Sequence, residues 1–175
     1  MKINVVPTLR VATLWGLALL GFAGSAFAQT SSKEVPAETV TWTASTASKG
    51  VIKAGDRLKL TLEGSVAGGW HVYSLKQLPG GPTPLRVGID ANEIASVNGV
   101  ASGSKPITIH DRAFNLDTQY YERSFTLTVP VRLAANASGR RHIPVNVRFQ
   151  TCNGQICQPP KTVHLSVPVD IQANG

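Results

Sequence analysis

The stretch Ile143-Pro144-Val145-Asn146-Val147-Arg148-Phe149-Gln150-Thr151-Cys152-Asn153-Gly154-Gln155-Ile156-Cys157-Gln158-Pro159-Pro160 carries two patterns in succession. In its first half Ile143, Val145, Val147 and Phe149 alternate with Pro144, Asn146 and Arg148. A period of two is the signature of a half-buried β-strand. The second half holds the only two cysteines of the chain, with four residues between them. Asn153-Gly154 supplies a reversal there, because Asn and Gly adopt positive φ at little cost. A hairpin loop of this length can bring two thiols within bonding reach, whereas an extended strand would hold them apart. Pro159-Pro160 then removes two backbone donors in succession, so the chain just after Cys157 cannot join a ladder in the usual way. The second cysteine is therefore expected at a rim, reachable from outside.

Further strands lie on both sides of this stretch. Phe125, Leu127, Val129 and Val131 alternate with Ser124, Thr126, Thr128 and Pro130, and Val163, Leu165, Val167 and Val169 repeat the pattern after the cysteines. These three strands, joined by turns at residues 135–140 and at the cysteine loop, are expected to form an antiparallel set with one buried face. Earlier in the chain, residues 40–45 begin the strands. Leu58, Leu60 and Leu62 then face one way and Lys59, Thr61 and Glu63 the other, with Gly64, Gly68 and Gly69 ending that run. Residues 70–73 read as a short aromatic strand, residues 85–89 and 95–100 as further short strands, and residues 77–84, with three prolines and two glycines, as a loop. Residues 103–121 show little periodicity and read as a loop, yet they hold His110, Asp111, Phe114, Tyr120 and Tyr121, a costly set to leave without a task. No helical period occurs after the leader. Seven or more short strands in a chain of this length predict an all-β fold, an immunoglobulin-like antiparallel β-sandwich.

Lys2 and Arg10 charge a leader that runs into an apolar stretch, and Ala26-Phe27-Ala28 reads as a small-x-small cleavage site. Residues 1–28 are thus expected to be a secretory signal peptide, cleaved after Ala28, residues 29–38 a flexible lead-in, and residues 39–171 one domain. Removing the leader from 175 residues leaves 147, enough for one self-sufficient core, and lowers the formal charge from +7 to +5. The leader's apolar run is shorter than the ~20 residues that span a bilayer, so no membrane span is expected after cleavage. The basic residues are scattered without interleaved aromatics, which argues against a nucleic-acid partner.

Two cysteines in an exported chain meet oxidising conditions, so a disulfide is their default state. As a staple it would constrain the unfolded chain by only about 2 kcal/mol, because the loop is so short. Thiol-disulfide exchange asks instead for an accessible sulfur, a second thiol near enough to resolve a mixed disulfide, and surroundings that favour the thiolate. Spacing alone leaves both readings open: an inert disulfide in a protein- or ligand-binding sandwich, or a working redox pair. His71, His110, His142 and His164 show no ligand spacing and no nucleophile elbow occurs, so neither metal nor cofactor is expected. Trp42 and Trp70 read as core residues and Tyr120 as an anchor for its loop.

At a finer grain, Phe149-Gln150-Thr151-Cys152, a short turn, Cys157-Gln158-Pro159-Pro160 and a last alternating strand resemble the end of the amino-terminal periplasmic domain of the thiol:disulfide interchange protein DsbD family. Tyr121-Glu122-Arg123-Ser124-Phe125 resembles the family's tyrosine-led strand, and His110-Asp111-Arg112-Ala113-Phe114 its cap loop. His71-Val72-Tyr73 falls where the family carries a tyrosine-x-tyrosine pair. The chain departs from the better-known members in having four residues rather than five between the cysteines, and Arg112-Ala113 in place of an acidic pair. The resemblance implies an immunoglobulin-like periplasmic domain whose cysteine pair relays electrons to thioredoxin-like proteins, such as disulfide isomerases or cytochrome c maturation proteins. It implies Cys157 as the attacking thiol, Cys152 as the resolving one, Phe114 as a lid, and Tyr73, His71, His110 and Asp111 around them. With the chain ending at Gly175, the electrons are expected from a separate membrane donor.

Overall fold

Thirteen strands and no helix make up the described residues, 38–48 and 50–174, of the computed structural model. The expected signal peptide and all but the last residue of the expected lead-in lie outside them. In chain order the strands are β1 (Val40–Thr46), β2 (Ile52–Lys53), β3 (Arg57–Val66), β4 (His71–Tyr73), β5 (Arg86–Ile89), β6 (Ala95–Val97) and β7 (Ser102–Gly103). They continue with β8 (Ile107–Asp111), β9 (Leu116–Tyr121), β10 (Ser124–Leu133), β11 (Gly139–Phe149), β12 (Thr151–Cys152) and β13 (Lys161–Gln172).

Alternation dictates how these strands stack. One sheet runs β1-β3-β10, with β6 and β7 sharing the far edge of β10, and a second runs β2-β13-β11-β5. All pairings are antiparallel except the short β2–β13 one. Leu58, Leu60, Leu62, Leu127, Val129 and Val131 of the first sheet and Ile143, Val145, Val147, Phe149, Val167 and Val169 of the second are all buried in one core. Trp42 of β1 reaches Phe149 of β11 with ring centroids 5.1 Å apart, tying the two layers together. This is the immunoglobulin-like antiparallel sandwich expected from the strand count.

The structure corrects the sequence reading at three places. First, β10 does not pair with β11: β10 lies between β3 and β6 in one sheet, and β11 between β13 and β5 in the other. Alternation reports which face of a strand is buried but not which strand lies beside it. The connection after Leu133 lacks a two-residue hairpin signature and steps between layers, with Ala137 buried on the way. Second, β3 does not end at Gly64 but runs on to Val66. Gly64 pairs with Trp42 on one side and Phe125 on the other, and those two rings meet edge to face across it, 5.5 Å apart. The aromatic pair covers the surface that the glycine leaves bare. Third, residues 103–121 contain β8 and β9 rather than a loop. Ile107 and Ile109 of β8 are exposed on an edge strand, so no buried alternation marks it in the sequence.

The third sheet, β12-β4-β9-β8, grows out of the sandwich. β11 passes into β12 through Gln150, and β9 into β10 through Glu122 and Arg123, the latter turning at φ 57°. This small sheet carries the cysteines.

A Cβ at Gly64 would stand 2.5 Å from two ring atoms of Phe125. Gly64→Ala is therefore expected to lower stability by about 1–3 kcal/mol through overpacking. A urea midpoint equal to that of the parent would show that the rings move aside without cost.

Candidate thiol-disulfide site

Cys152 and Cys157 are joined as a disulfide. The reversal between them is built by Asn153 and Gly154. Asn153 Oδ1 accepts from the backbone N–H groups of Gln155 and Ile156, and Gly154 takes φ 82°. Asn153 N–H donates to the carbonyl of Ile156 and Gln158 N–H to that of Thr151. These two bonds bracket Cys152 and Cys157, which makes them a non-hydrogen-bonded antiparallel pair with Cα atoms 4.0 Å apart. In such pairs opposing side chains approach most closely. Cys152 is 2% exposed, whereas Cys157 is only partly buried, so one sulfur of the bond faces the rim.

β12 pairs with β4, with Thr151 opposite Val72 and Cys152 opposite His71. Two residues on, Tyr73 is fully buried and packs with Tyr120 and Cys152, with Phe114 and Cys157 against them. The Tyr73 hydroxyl donates to Asp111 Oδ2 at 2.8 Å and lies 3.8 Å from Cys157 Sγ. Burial, then the hydrogen bond and charge of Asp111, push the Tyr73 phenol far above its ordinary range. Burial also raises Tyr120 and Tyr121.

Phe114 sits in the hairpin turn between β8 and β9. Asp111 opens it by accepting from the Ala113 N–H at 2.8 Å, and Asn115 closes it in the left-handed region at φ 52°, which Asn tolerates. Between them Phe114 is presented edge-on to Tyr73, 5.8 Å between centroids. Asp111 is thus both the turn's first residue and the buried acceptor for Tyr73 and, at 3.4 Å, for the Thr118 hydroxyl.

Of the residues named from the sequence, Cys152, Cys157, Phe114, Tyr73, Asp111 and His71 come together. His110 does not. Strand alternation puts it on the opposite face of β8, exposed, where its ring nitrogens meet Asp117 and Asn115 at 3.2 Å each. There it braces the turn from outside. His71 lies edge-on to Tyr73 at 5.1 Å and against Tyr120 at 4.4 Å, with Nε2 buried and without a hydrogen-bond partner. Burial lowers its pKa, opposed in part by Asp111 and then Glu122. Thr118, Tyr120 as a packing partner of Cys152, and Glu122 were missed as site residues. The register of β9 against β4 is the signal that gathers them, and it became visible only with the strands in place. Among the described residues no group of three or more His, Cys, Asp or Glu is placed to hold a metal, and no helix is long and apolar enough to cross a membrane.

A sandwich that offers one sulfur of a hairpin disulfide at its rim, beneath an aromatic lid, has the layout of a thiol-disulfide interchange domain. The chain belongs to that class: the family described as thiol:disulfide interchange protein DsbD, N-terminal, matches residues 39–168. Among solved structures the chain is similar to the DsbD N-terminal domain of Neisseria meningitidis in the reduced form, at 19% identity and a TM-score of 0.47, covering 69% of this chain and 81% of that one. It is also similar to the N-terminal periplasmic domain of ScsB from Proteus mirabilis, at 20% identity and a TM-score of 0.46, covering 75% of this chain and 45% of that one. No curated protein matches the chain.

Asp111→Ala strips the Tyr73 hydroxyl and the Ala113 N–H of their acceptor. It is expected to cost about 1–3 kcal/mol in urea unfolding and to speed reduction of the disulfide by dithiothreitol as the turn loosens. Unchanged values of both would mean that the carboxylate holds neither group. Because His71 is depressed below its unfolded value of 6.5, protonation favours the unfolded chain. Stability is expected to fall as pH drops through 6.5 and to level off below the folded pKa, and His71→Phe should flatten that part of the curve. An equal slope in the variant would assign it to another group.

Proposed function

We propose that this protein is a periplasmic thiol-disulfide exchange module that passes reducing equivalents to exported thioredoxin-like proteins through Cys152 and Cys157. The observation that carries this reading is the asymmetry of the disulfide, with Cys152 sealed in the sheet and Cys157 at the rim beside the Tyr73 hydroxyl and under Phe114. In the reduced state the Cys157 thiolate attacks a partner's disulfide and frees one partner thiolate. Cys152 then attacks Cys157 Sγ of the mixed disulfide, closing the internal bond and freeing the second. Phe114 keeps small oxidants from the pair until a partner displaces the turn, a gating role. Ile107 and Ile109 lie exposed on the disulfide-bearing face of the third sheet, and Ile156 is 51% exposed in the cysteine loop. Together they give a partner an apolar rim on which to settle.

The chain is exported by its first 28 residues, cut after Ala28, and 39–171 is the working domain. Apart from the cysteine pair, the described residues hold no group that stores electrons. The family likeness favours a membrane protein as their source, acting through a thioredoxin-like intermediary.

The deciding measurement is the reduction potential of the pair, from thiol counting in graded redox buffers. A value between about −270 and −180 mV, the range from thioredoxin to disulfide isomerase, is expected. A value well below about −300 mV would make the bond a structural staple and the domain a binding module.

A further inference from the structure

We propose that His71 is the general base that takes the proton of the Cys152 thiol when the mixed disulfide on Cys157 is resolved, and that Glu122 steadies the imidazolium so formed. This rests on the assignment of Cys157 as the attacking thiol. Cys152 and His71 are directly opposite in the β12–β4 pairing. On the other side of β4, Val72 pairs with Tyr121 and Tyr73 with Tyr120; Glu122 follows directly after that ladder ends, lines the same cleft as His71 and acts on its charge. Directly opposed residues share a sheet face, with Cβ atoms about 4.5–5.5 Å apart. Thiol and imidazole are thus paired across β12 and β4, with the carboxylate just past the end of β9.

The state of the imidazole supports this role. Its ring is held between Tyr73 and Tyr120, and Nε2 is buried without a hydrogen-bond partner while the cysteines are oxidised. Buried ring nitrogens are seldom left unpaired. Reduction gives the cross-strand neighbour Cys152 an S–H, a donor of the kind this nitrogen lacks. The groups facing His71 are the Asp111 carboxylate from β8, Glu122 beyond β9, the phenols of Tyr73 and Tyr120, and the Cys152 thiol itself. Both carboxylates favour a transient imidazolium. A cleft of about 440 Å³ lined by His71, Tyr120, Glu122, Arg123 and Asn153 opens beside the ring and gives the proton a route to water.

In the resolving step the Cys152 proton passes to Nε2 as the Cys152 sulfur attacks Cys157 Sγ. The Cys152–Cys157 bond forms, the bond from Cys157 to the partner breaks, and the partner leaves as a thiolate that takes up a proton from the imidazolium or from water. Two electrons move to the partner, and the module ends oxidised.

Mixing the reduced protein with the aromatic disulfide dithiobis-nitrobenzoate separates the steps. One coloured thiolate is released as Cys157 attacks and a second as Cys152 resolves. The rate of the second phase is expected to rise with pH in two limbs, one below 6.5 as the imidazole loses its proton and one near the ~8.5 of a free thiol. His71→Phe keeps the ring but not the nitrogens. It should abolish the lower limb and slow the second phase relative to the first by about 100-fold near neutral pH. Glu122→Gln, at an exposed position, should shift the lower limb to lower pH. A lower limb that survives unchanged in His71→Phe, or that does not move in Glu122→Gln, overturns the role of these residues while leaving exchange intact. Release of a single thiolate by the parent protein overturns the exchange reading and this one with it.

Discussion

The site depends on a one-residue change of register at the end of the β11–β13 ladder. Along that ladder the pairing is continuous up to Phe149 opposite Lys161, yet Cys152 then meets Cys157. Two residues, Gln150 and Thr151, therefore stand against three, Gln158, Pro159 and Pro160. An extra residue on one strand is a bulge, and a slip of one exchanges the faces on which side chains fall. The two prolines are the residues that can occupy the longer arm, because neither has an N–H to leave unpaired. The slip frees β12 from β13 and lets it pair with β4 instead. A hairpin that began as part of the second sheet of the sandwich thus delivers its tip, and the disulfide, to a sheet of its own.

That third sheet is held in place because it has two working faces. Tyr120 and Tyr121 are adjacent and point to opposite sides: Tyr120 covers the disulfide, while Tyr121 enters the main core and stacks on Phe125 at 4.3 Å, the planes within 11°. From Phe125 the contacts run across Gly64 to Trp42 and on to Phe149, the residue from which the cysteine arm departs. The same aromatic chain anchors both strands that frame the site, β9 at one end and β12 at the other. The buried hydroxyls of Thr39 and Thr151, 3.1 Å apart, and Gln158 Oε1, which accepts from both, lock the base of the cysteine loop to the start of β1. The strands that hold the sulfurs are thereby fixed at both ends.

The sequence was informative where a strand buries one face and not the other, as in β3, β10, β11 and β13, and where rare residues mark a turn, as Asn153-Gly154 does. It was silent on β8 and β9, because Ile107 and Ile109 are exposed and the buried Tyr120 and Tyr121 stand side by side on opposite faces, so neither strand alternates. It was misleading where proximity in the chain stood in for proximity in space. His110 and Asp111 are neighbours in sequence, but β8 sends them to opposite faces, so that one braces the lid from outside while the other holds Tyr73 within. Glu122 could not be placed beside His71 until the β4–β9 register was known, since nothing in the sequence sets two short strands in register.

The hydrogen-bond direction at Tyr73 decides what the reduced pair would meet. Its single hydroxyl proton is directed to Asp111, an acceptor held in place by the Ala113 N–H and the Thr118 hydroxyl. Toward Cys157 Sγ, 3.8 Å away, the same oxygen then offers only lone pairs. While Asp111 holds its proton, the Tyr73 hydroxyl donates nothing to the rim sulfur. Phe114 and Asp111 belong to the same turn, so the position of the ring and the orientation of the Tyr73 hydroxyl are tied to one backbone segment.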